Sequence, residues 1–167
     1  NVLETLEPAE LRCGLGEVIK YGFIRSTELF DYIEEHLDEA LAGKPDVLFE
    51  LVKASAAIKA DVVSQDETEQ NLRMILNFGH TFGHALEAES GYAQIKHGEA
   101  VILGMQCALA YGRMDGLLDE KCYERGLALL RRVPVEIDPG LLDRDRLVER
   151  MMVDKKVKNG KIRLVLI

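Results

Sequence analysis

The stretch LRMILNFGHTFGHALE, residues 72–87, decides what fold and site this chain can form. Four polar residues recur in it at spacings of four, three and four: Arg73, Asn77, His80 and His84. On one helix continuing to about Glu89, that spacing places all four side chains on the same face. The positions around them are mostly apolar, as in a helix buried on its other sides. The pattern therefore predicts a helix with a polar stripe.

Two interpretations of the stripe follow from the residues alone. Burying an unpaired polar group costs about 2–7 kcal/mol, so the stripe is either a satisfied network between helices or a functional site. Three of the four histidines of the chain lie within residues 80–97, which favours a site. His36 lies apart from them in an acidic stretch, and we expect it to be an ordinary surface residue.

Metal binding is the first chemical interpretation of the histidines. His80 and His84 are four residues apart, so they share a helix face, and His97 follows soon after. The HExxH pattern of metalloproteases is absent, and the segment His97-Gly98-Glu99 lacks the PCxxC partner of zinc deaminases. Glu17 is the best carboxylate for a third ligand. A surface ion pair between Glu17 and Lys20 explains that carboxylate equally well.

Composition limits the class of protein. With 167 residues, 47% of them hydrophobic and 30% charged, the chain can form a single domain over 1–167. A net charge of −8 argues against nucleic-acid binding, which needs clustered Lys and Arg. No apolar run approaches the ~18 residues of a membrane span, and no basic-then-apolar start suggests a signal peptide, so we expect a cytoplasmic protein. The three cysteines have no metal or disulfide spacing and read as reduced thiols.

The pattern along the chain is helical almost throughout. Helices are predicted over 8–24, 26–42, 46–64, 72–89, from 97 onward, 119–132 and 143–153, with a loop at 65–71. Ser26 and Asp46 are the predicted caps of the second and third helices. The helix that begins at His97 is apolar nearly all round, which is typical of a central helix. Only residues 161–167 look like a strand. A lone strand needs a partner, and we therefore expect a fragment of a longer protein.

Four segments carry a resemblance to a known family. They are CGLGEVIKYGFI (13–24), KADVVSQDETEQNLRMILNFGHTFGHALE (59–87), KHGEAVILGM (96–105) and DKKVKNGKIRLVLI (154–167). Together they closely resemble the C-terminal half of 3-dehydroquinate synthase. The resemblance implies a mainly α, multi-helix domain with a short terminal β element. It also implies that an N-terminal α/β domain, absent from this chain, binds NAD⁺; no GxGxxG motif occurs here, so no cofactor-binding residues are predicted in the chain.

The resemblance assigns a role to each matching residue. The implied metal ligands are Glu17, His80 and His97, for Zn²⁺ or Co²⁺. The implied catalytic residues are His84, which holds the substrate near its phosphate and reacting carbons, and Lys20 and Lys59, which bind its carboxylate and hydroxyls. The implied substrate-binding residues are Arg73 for the carboxylate and hydroxyls, Asn77 near the phosphate, and Lys155 or Lys156 on the phosphate.

The implied activity is that of a phosphate lyase and cyclase of the shikimate pathway, which leads to the aromatic amino acids. A seven-carbon sugar acid phosphate is oxidised transiently by NAD⁺, loses phosphate, is reduced again and closes to 3-dehydroquinate. The implied partners are this substrate, the N-terminal domain and a second copy in a homodimer, with no nucleic acid and no membrane. The isolated chain is expected to be inactive.

Three alternatives remain at this point. Related sugar-phosphate cyclases share the fold and the metal site but act on other sugar phosphates. Metal-dependent polyol dehydrogenases have the same two-domain plan but typically use an aspartate with two histidines, and Glu17 argues against them. A helical scaffold that uses the stripe only structurally would bind no stoichiometric metal.

Overall fold

The computed structural model describes residues 2–68, 72–92, 94–153 and 162–167. Within these ranges the chain is helical, which confirms the mainly α prediction. The α-helices are α1 (Pro8–Arg25), α2 (Thr27–Leu41), α3 (Pro45–Gln65), α4 (His80–Glu89), α5 (His97–Met114), α6 (Glu120–Arg131) and α7 (Arg144–Val153). Short 3₁₀ helices cover Val2–Thr5, Leu72–Asn77 and Pro139–Leu142. No helix among the described residues is both long and apolar enough to span a membrane.

Two compact units divide the chain. The first is Asn1–Leu76 and the second is Asn77–Ile167. The single domain expected over 1–167 stays a prediction.

The first unit contains α1, α2 and α3, which begin at local sequence signals. Pro8 and Pro45 stand in the first turns of α1 and α3, where a missing backbone N–H costs nothing. The Ser26 side chain accepts a hydrogen bond from the Leu29 N–H at 3.1 Å and caps α2, as predicted. The predicted cap of α3 at Asp46 is wrong, because Pro45 already begins that helix and Asp46 lies in its first turn.

The second unit is built around α5. Ala100, Val101 and Ile102 are fully buried, which confirms the central position predicted for this helix. Helix α5 packs against α4 on one side and α6 on another, and α4 also packs against α7. The site-bearing helix α4 therefore lies between two neighbours.

The single helix predicted over 72–89 is interrupted. A 3₁₀ helix covers Leu72–Asn77, a turn follows, and α4 begins only at His80. Gly79 causes the break because its φ is +76°, in the left-handed region that a right-handed helix cannot include. The predicted single stripe is therefore wrong: His80 and His84 share α4, whereas Arg73 and Asn77 lie on the 3₁₀ helix before the break.

Close packing explains why glycine occupies position 79. A Cβ atom there would lie 2.9 Å from both the backbone nitrogen of Met105 and the carbonyl oxygen of Val101. Both atoms belong to the backbone of α5 and cannot rotate away. The turn before α4 therefore lies directly against α5, in a place that no side chain could occupy.

The short terminal strand predicted at 161–167 is not formed in the part of that segment the structure describes, residues 162–167. A strand needs a hydrogen-bonding partner strand, and the described residues contain no strand to supply one. The segment is instead tied to α4, where the Thr81 hydroxyl donates a hydrogen bond to the Arg163 carbonyl oxygen at 3.3 Å.

Candidate functional site

Three histidine rings meet in the second unit. His80 and His84 stand one turn apart on α4, and His97 is the first residue of α5. Their ring centroids are separated by 5.5 Å (His80 to His84), 5.3 Å (His80 to His97) and 6.0 Å (His84 to His97). The structure thus brings together all three of the histidines that the sequence singles out.

Small residues allow α4 and α5 to approach closely enough for this. A Cβ atom on Gly83 would lie 3.1 Å from the Ala100 carbonyl oxygen, and one on Gly104 would overlap the carbonyl oxygen of Gly79. The two backbones are therefore in near contact.

At the start of α5 the Glu99 carboxylate accepts a hydrogen bond from the Lys96 N–H at 3.3 Å and satisfies a backbone donor before His97.

His80 is held in one orientation. It is 9% exposed, and its Nδ1 lies 3.1 Å from the carbonyl oxygen of Phe78. A carbonyl oxygen only accepts hydrogen bonds, so Nδ1 carries the proton and the lone pair lies on Nε2. That is the tautomer in which Nε2 of a histidine binds a metal.

His97 has a similar arrangement with a carboxylate in place of the carbonyl. Its Nδ1 lies 3.2 Å from Oε1 and 3.1 Å from Oε2 of Glu87. Glu87 stands two turns beyond His80 on α4 and was not singled out from the sequence. Its seven-residue spacing from His80, which puts both on one helix face, was the available signal.

The donor atoms of this cluster suit a divalent metal. His84, Glu87 and His97 each offer a ligand atom, and these atoms lie within 4.8 Å of one another. Imidazole nitrogens with a carboxylate oxygen form the donor set of many catalytic zinc sites. The second unit by itself therefore has the chemistry to hold a metal such as zinc or cobalt.

A cavity of about 630 Å³ opens beside the histidines. Its lining includes His84, Glu87, Tyr92, His97 and Arg150. Small-molecule sites usually enclose about 300–1,000 Å³, so the space suits a ligand the size of a sugar phosphate. Arg150 on this wall is paired with Glu89, whose Oε2 lies 3.1 Å from its Nε.

In the first unit, Glu17 and Lys20 form an ion pair on α1. Lys20 is 3% exposed and its Nζ lies 5.1 Å from the centroid of the Tyr21 ring. Burial lowers the pKa of Lys20, the charge and hydrogen bond of Glu17 oppose that change, and the charge of Lys59 adds to it. Because Lys20 is buried, the pair is not the exposed surface pair considered as the alternative.

The remaining predicted substrate residues lie in several places. Lys59 is exposed on α3. Arg73 is half-buried in the first unit, where its guanidinium donates to the Glu67 carbonyl oxygen at 3.1 Å and its N–H to Asp66 Oδ2 at 3.0 Å. Asn77 is half-buried at the start of the second unit. Lys155 and Lys156 lie outside the described residues.

Comparison with known proteins bears on this arrangement. A 3-dehydroquinate synthase from Thermoanaerobacter sp. (strain X514) is 46% identical over 165 residues, which are 99% of this chain and 46% of that protein. The enzyme of the same name from Pseudomonas aeruginosa (strain UCBPP-PA14) is 46% identical over 167 residues, 99% of this chain and 45% of that protein. The chain therefore spans about half the length of these curated relatives.

Two solved structures are similar in fold. The 2-epi-5-epi-valiolone synthase of Streptomyces hygroscopicus subsp. jinggangensis 5008, with NAD⁺ and Zn²⁺ bound, has a TM-score of 0.85 and 26% identity, covering 98% of this chain and 46% of that one. A 2-deoxy-scyllo-inosose synthase complexed with carbaglucose-6-phosphate, NAD⁺ and Co²⁺ has a TM-score of 0.81 and 25% identity, covering 97% and 46%.

A family model settles the classification. The model described as 3-dehydroquinate synthase C-terminal matches residues 14–157, which include every histidine discussed above. The match agrees with the resemblance seen in the sequence motifs. The chain belongs to the 3-dehydroquinate synthase C-terminal family.

Proposed function

We propose that this chain is the metal- and substrate-binding half of a 3-dehydroquinate synthase. The reaction converts 3-deoxy-arabino-heptulosonate 7-phosphate into 3-dehydroquinate and inorganic phosphate with NAD⁺ and a divalent metal. The observation that carries the proposal is the grouping of His80, His84 and His97 beside a cavity of about 630 Å³. It is supported by 46% identity to proteins of that name, against 25–26% for the two related cyclases.

Glu17, His80 and His97 are the proposed metal ligands. Two histidines and a carboxylate leave a fourth position for substrate, as catalytic zinc sites require. The Nδ1 atoms of His80 and His97 each face an oxygen acceptor, which leaves the Nε2 lone pairs for coordination. When bound, Zn²⁺ or Co²⁺ supplies Lewis acidity that lowers the pKa of a substrate hydroxyl.

The cationic residues bind the two anionic ends of the substrate. Arg73 offers a planar fork that matches the carboxylate, and Lys20 and Lys59 add positive charge. Burial leaves the Lys20 ammonium poorly solvated and so lowers its pKa, an effect that the neighbouring Glu17 carboxylate opposes. A net charge of −8 does not argue against this assignment, because a local group of cations can attract an anionic substrate in an acidic protein, and the charge of Lys59 acts on Lys20.

The phosphate end is assigned to His84, Asn77 and a lysine at 155 or 156. His84 lines the cavity, so its imidazole can donate a hydrogen bond to a phosphate oxygen. The chain's task in the elimination is mainly positioning, because the phosphate of the substrate can itself accept the proton. NAD⁺ would supply the transient oxidation and is assigned to the N-terminal half of the enzyme.

The test is phosphate release by the reassembled enzyme. We would fuse the chain to the N-terminal half of the Thermoanaerobacter relative and supply 3-deoxy-arabino-heptulosonate 7-phosphate, NAD⁺ and zinc. The expected result is release that stops on chelation and returns with Zn²⁺ or Co²⁺. The unfused chain is the control, and we expect it to release no phosphate.

Other outcomes would redirect the assignment. Release from sedoheptulose 7-phosphate, but not from the heptulosonate, would indicate a cyclase of the valiolone type. Activity on a polyol with net reduction of NAD⁺ would indicate a dehydrogenase. A folded chain that binds no metal would contradict the proposal and favour a helical scaffold.

A further inference from the structure

We infer that Glu87 is a positioning residue for the metal, acting through His97. Its carboxylate holds the Nδ1–H of His97 and thereby fixes the ring with Nε2 as the coordinating nitrogen. The inference rests on the proposed function, since it takes His97 to be a metal ligand.

Geometry supports this role. Both carboxylate oxygens of Glu87 lie within hydrogen-bonding distance of His97 Nδ1, at 3.1 Å and 3.2 Å. An ionised carboxylate only accepts, so the proton lies on Nδ1 and the lone pair on Nε2. His80 has the same tautomer for the same reason, with the Phe78 carbonyl oxygen as its acceptor. Both histidines proposed as metal ligands, His80 and His97, thus have the same tautomer.

Burial distinguishes the pair from a surface ion pair. The Glu87 side chain is 13% exposed, whereas that of His97 is 43% exposed. The His97 ring contacts His80 and His84 but is still partly exposed, so the less exposed Glu87 carboxylate adds a restraint on its rotamer. Freezing the ring before the metal arrives removes an entropic cost from binding. The carboxylate also makes Nε2 of His97 more basic and therefore a stronger metal ligand.

A competing role for Glu87 is direct coordination. Its oxygen and the ring nitrogens of His84 and His97 lie within 4.8 Å of one another, so these three residues could themselves surround an ion. In that case Glu87 would be a ligand and its loss would remove the metal. A positioning residue would weaken binding and leave the stoichiometry intact.

The experiment compares metal binding by the full chain and its variants. Glu87→Gln is isosteric and keeps an oxygen acceptor, whereas Glu87→Ala removes it. The matched control is Glu39→Gln, because Glu39 Oε2 lies 2.9 Å from His36 Nδ1 on α2 and forms the same kind of pair elsewhere. Zinc affinity is measured by competition with a chromogenic chelator, the site is reported by the d–d absorption of bound Co²⁺, and folding is checked by circular dichroism.

The expected result is one metal per chain in every variant, with affinity reduced about 10–100-fold in Glu87→Ala and less in Glu87→Gln. The Co²⁺ spectrum should change in the Glu87 variants and stay constant in Glu39→Gln. Wild-type affinity and spectrum in the Glu87 variants would overturn the inference and leave the proposed function standing. Complete metal loss from a folded Glu87→Gln would overturn it in favour of direct coordination. No metal in the wild type would overturn the proposed site and the inference with it.

Discussion

Gly104 of α5 lies against Gly79 so closely that a Cβ atom on Gly104 would overlap the carbonyl oxygen of Gly79. The same Cβ would lie 2.8 Å from the backbone nitrogen of Gly83. This contact sets the distance between α4 and α5, and therefore the distance between the histidines at their ends. Gly79 and Gly83, which lie beside His80 and His84 in the sequence, therefore help to position the histidines by allowing this close contact.

Gly104→Ala should therefore destabilise the chain. Alanine is favoured over glycine by about 1 kcal/mol inside a helix, but overpacking typically costs about 1–3 kcal/mol. Here the cost should lie at the upper end, since the obstructing atoms belong to the backbone. The expected net loss of unfolding free energy is about 1–2 kcal/mol, measured by urea denaturation.

Gly14→Ala is the matched control. Gly14 lies in α1, and beyond the adjoining residues of that helix no described atom comes within 4 Å of the place its Cβ would take. Only the helix preference then acts, so the substitution should leave stability equal or higher by up to about 1 kcal/mol. If both variants changed stability equally, the close contact at Gly104 would not constrain the fold.

Single histidine replacements should separate ligand from substrate-binding roles. His80→Ala and His97→Ala should each abolish stoichiometric zinc, measured by metal analysis after dialysis, because each removes one of three ligands. His36→Ala, on α2, should retain the metal. Zinc retained in both ligand variants would contradict the proposed metal site.

His84→Ala should retain zinc and reduce turnover of the reassembled enzyme. Losing one hydrogen bond to a charged phosphate costs about 1.5–3 kcal/mol, which corresponds to roughly 10–150-fold in rate. Steady-state phosphate release gives the reduction. Loss of zinc from His84→Ala to the same extent as from His97→Ala would instead make His84 a ligand.

Local signals in the sequence predicted most of the helices. Pro8, Ser26 and Asp119 act on their own helix starts, so no distant residue is needed to read them. The single helix predicted over 72–89 was wrong at a position where the backbone packs against another helix. A pattern of side chains cannot reveal that Gly79 has a φ of +76°, or that its backbone lies against Met105 on α5, which is distant in the sequence.

The site was predictable to the extent that it rests on residue type. His80, His84 and His97 were found because histidines are rare here and cluster in the chain. Glu87 was missed because its partner is ten residues away, on another helix. Its spacing from His80 places it on the histidine face of α4, but only the packing of α4 on α5 brings it to His97.

Asp119 should give the chain a pH-dependent stability. Its Oδ1 accepts a hydrogen bond from the Cys122 N–H at 2.8 Å and caps α6, and this bond holds the pKa of Asp119 below its ordinary value of 3.8. Because the pKa is lowered in the folded state, the stabilisation from the Asp119 charge is fully present above pH 3.8 and is lost as the pH falls through the lower folded pKa.

Asp119→Asn is the control, since an amide can cap the helix but does not titrate. The stability advantage of the wild type over this variant should stay constant between about pH 5 and 8 and shrink below about pH 4. Urea midpoints of both proteins at several pH values measure it. A difference that stays constant down to pH 3 would show that the cap does not depend on the charge.

Glu89 on α4 forms ion pairs with Arg146 and Arg150 on α7, and loss of the arginines should destabilise the chain more than loss of the carboxylate charge. Its side chain is 7% exposed and pairs with Arg146 and Arg150, which are 54% and 51% exposed. Replacing both arginines with alanine leaves the Glu89 charge without these partners and should lower the free energy of unfolding by about 3–5 kcal/mol. Glu89→Gln leaves only exposed cations and should cost about 1 kcal/mol or less. Arg25→Ala, which breaks the exposed pair with Asp61, sets the scale for a surface ion pair. Urea denaturation of the three variants measures their losses of stability. A larger loss in Glu89→Gln than in the double arginine variant would contradict the prediction, because the loss would then not arise from an unpaired buried carboxylate.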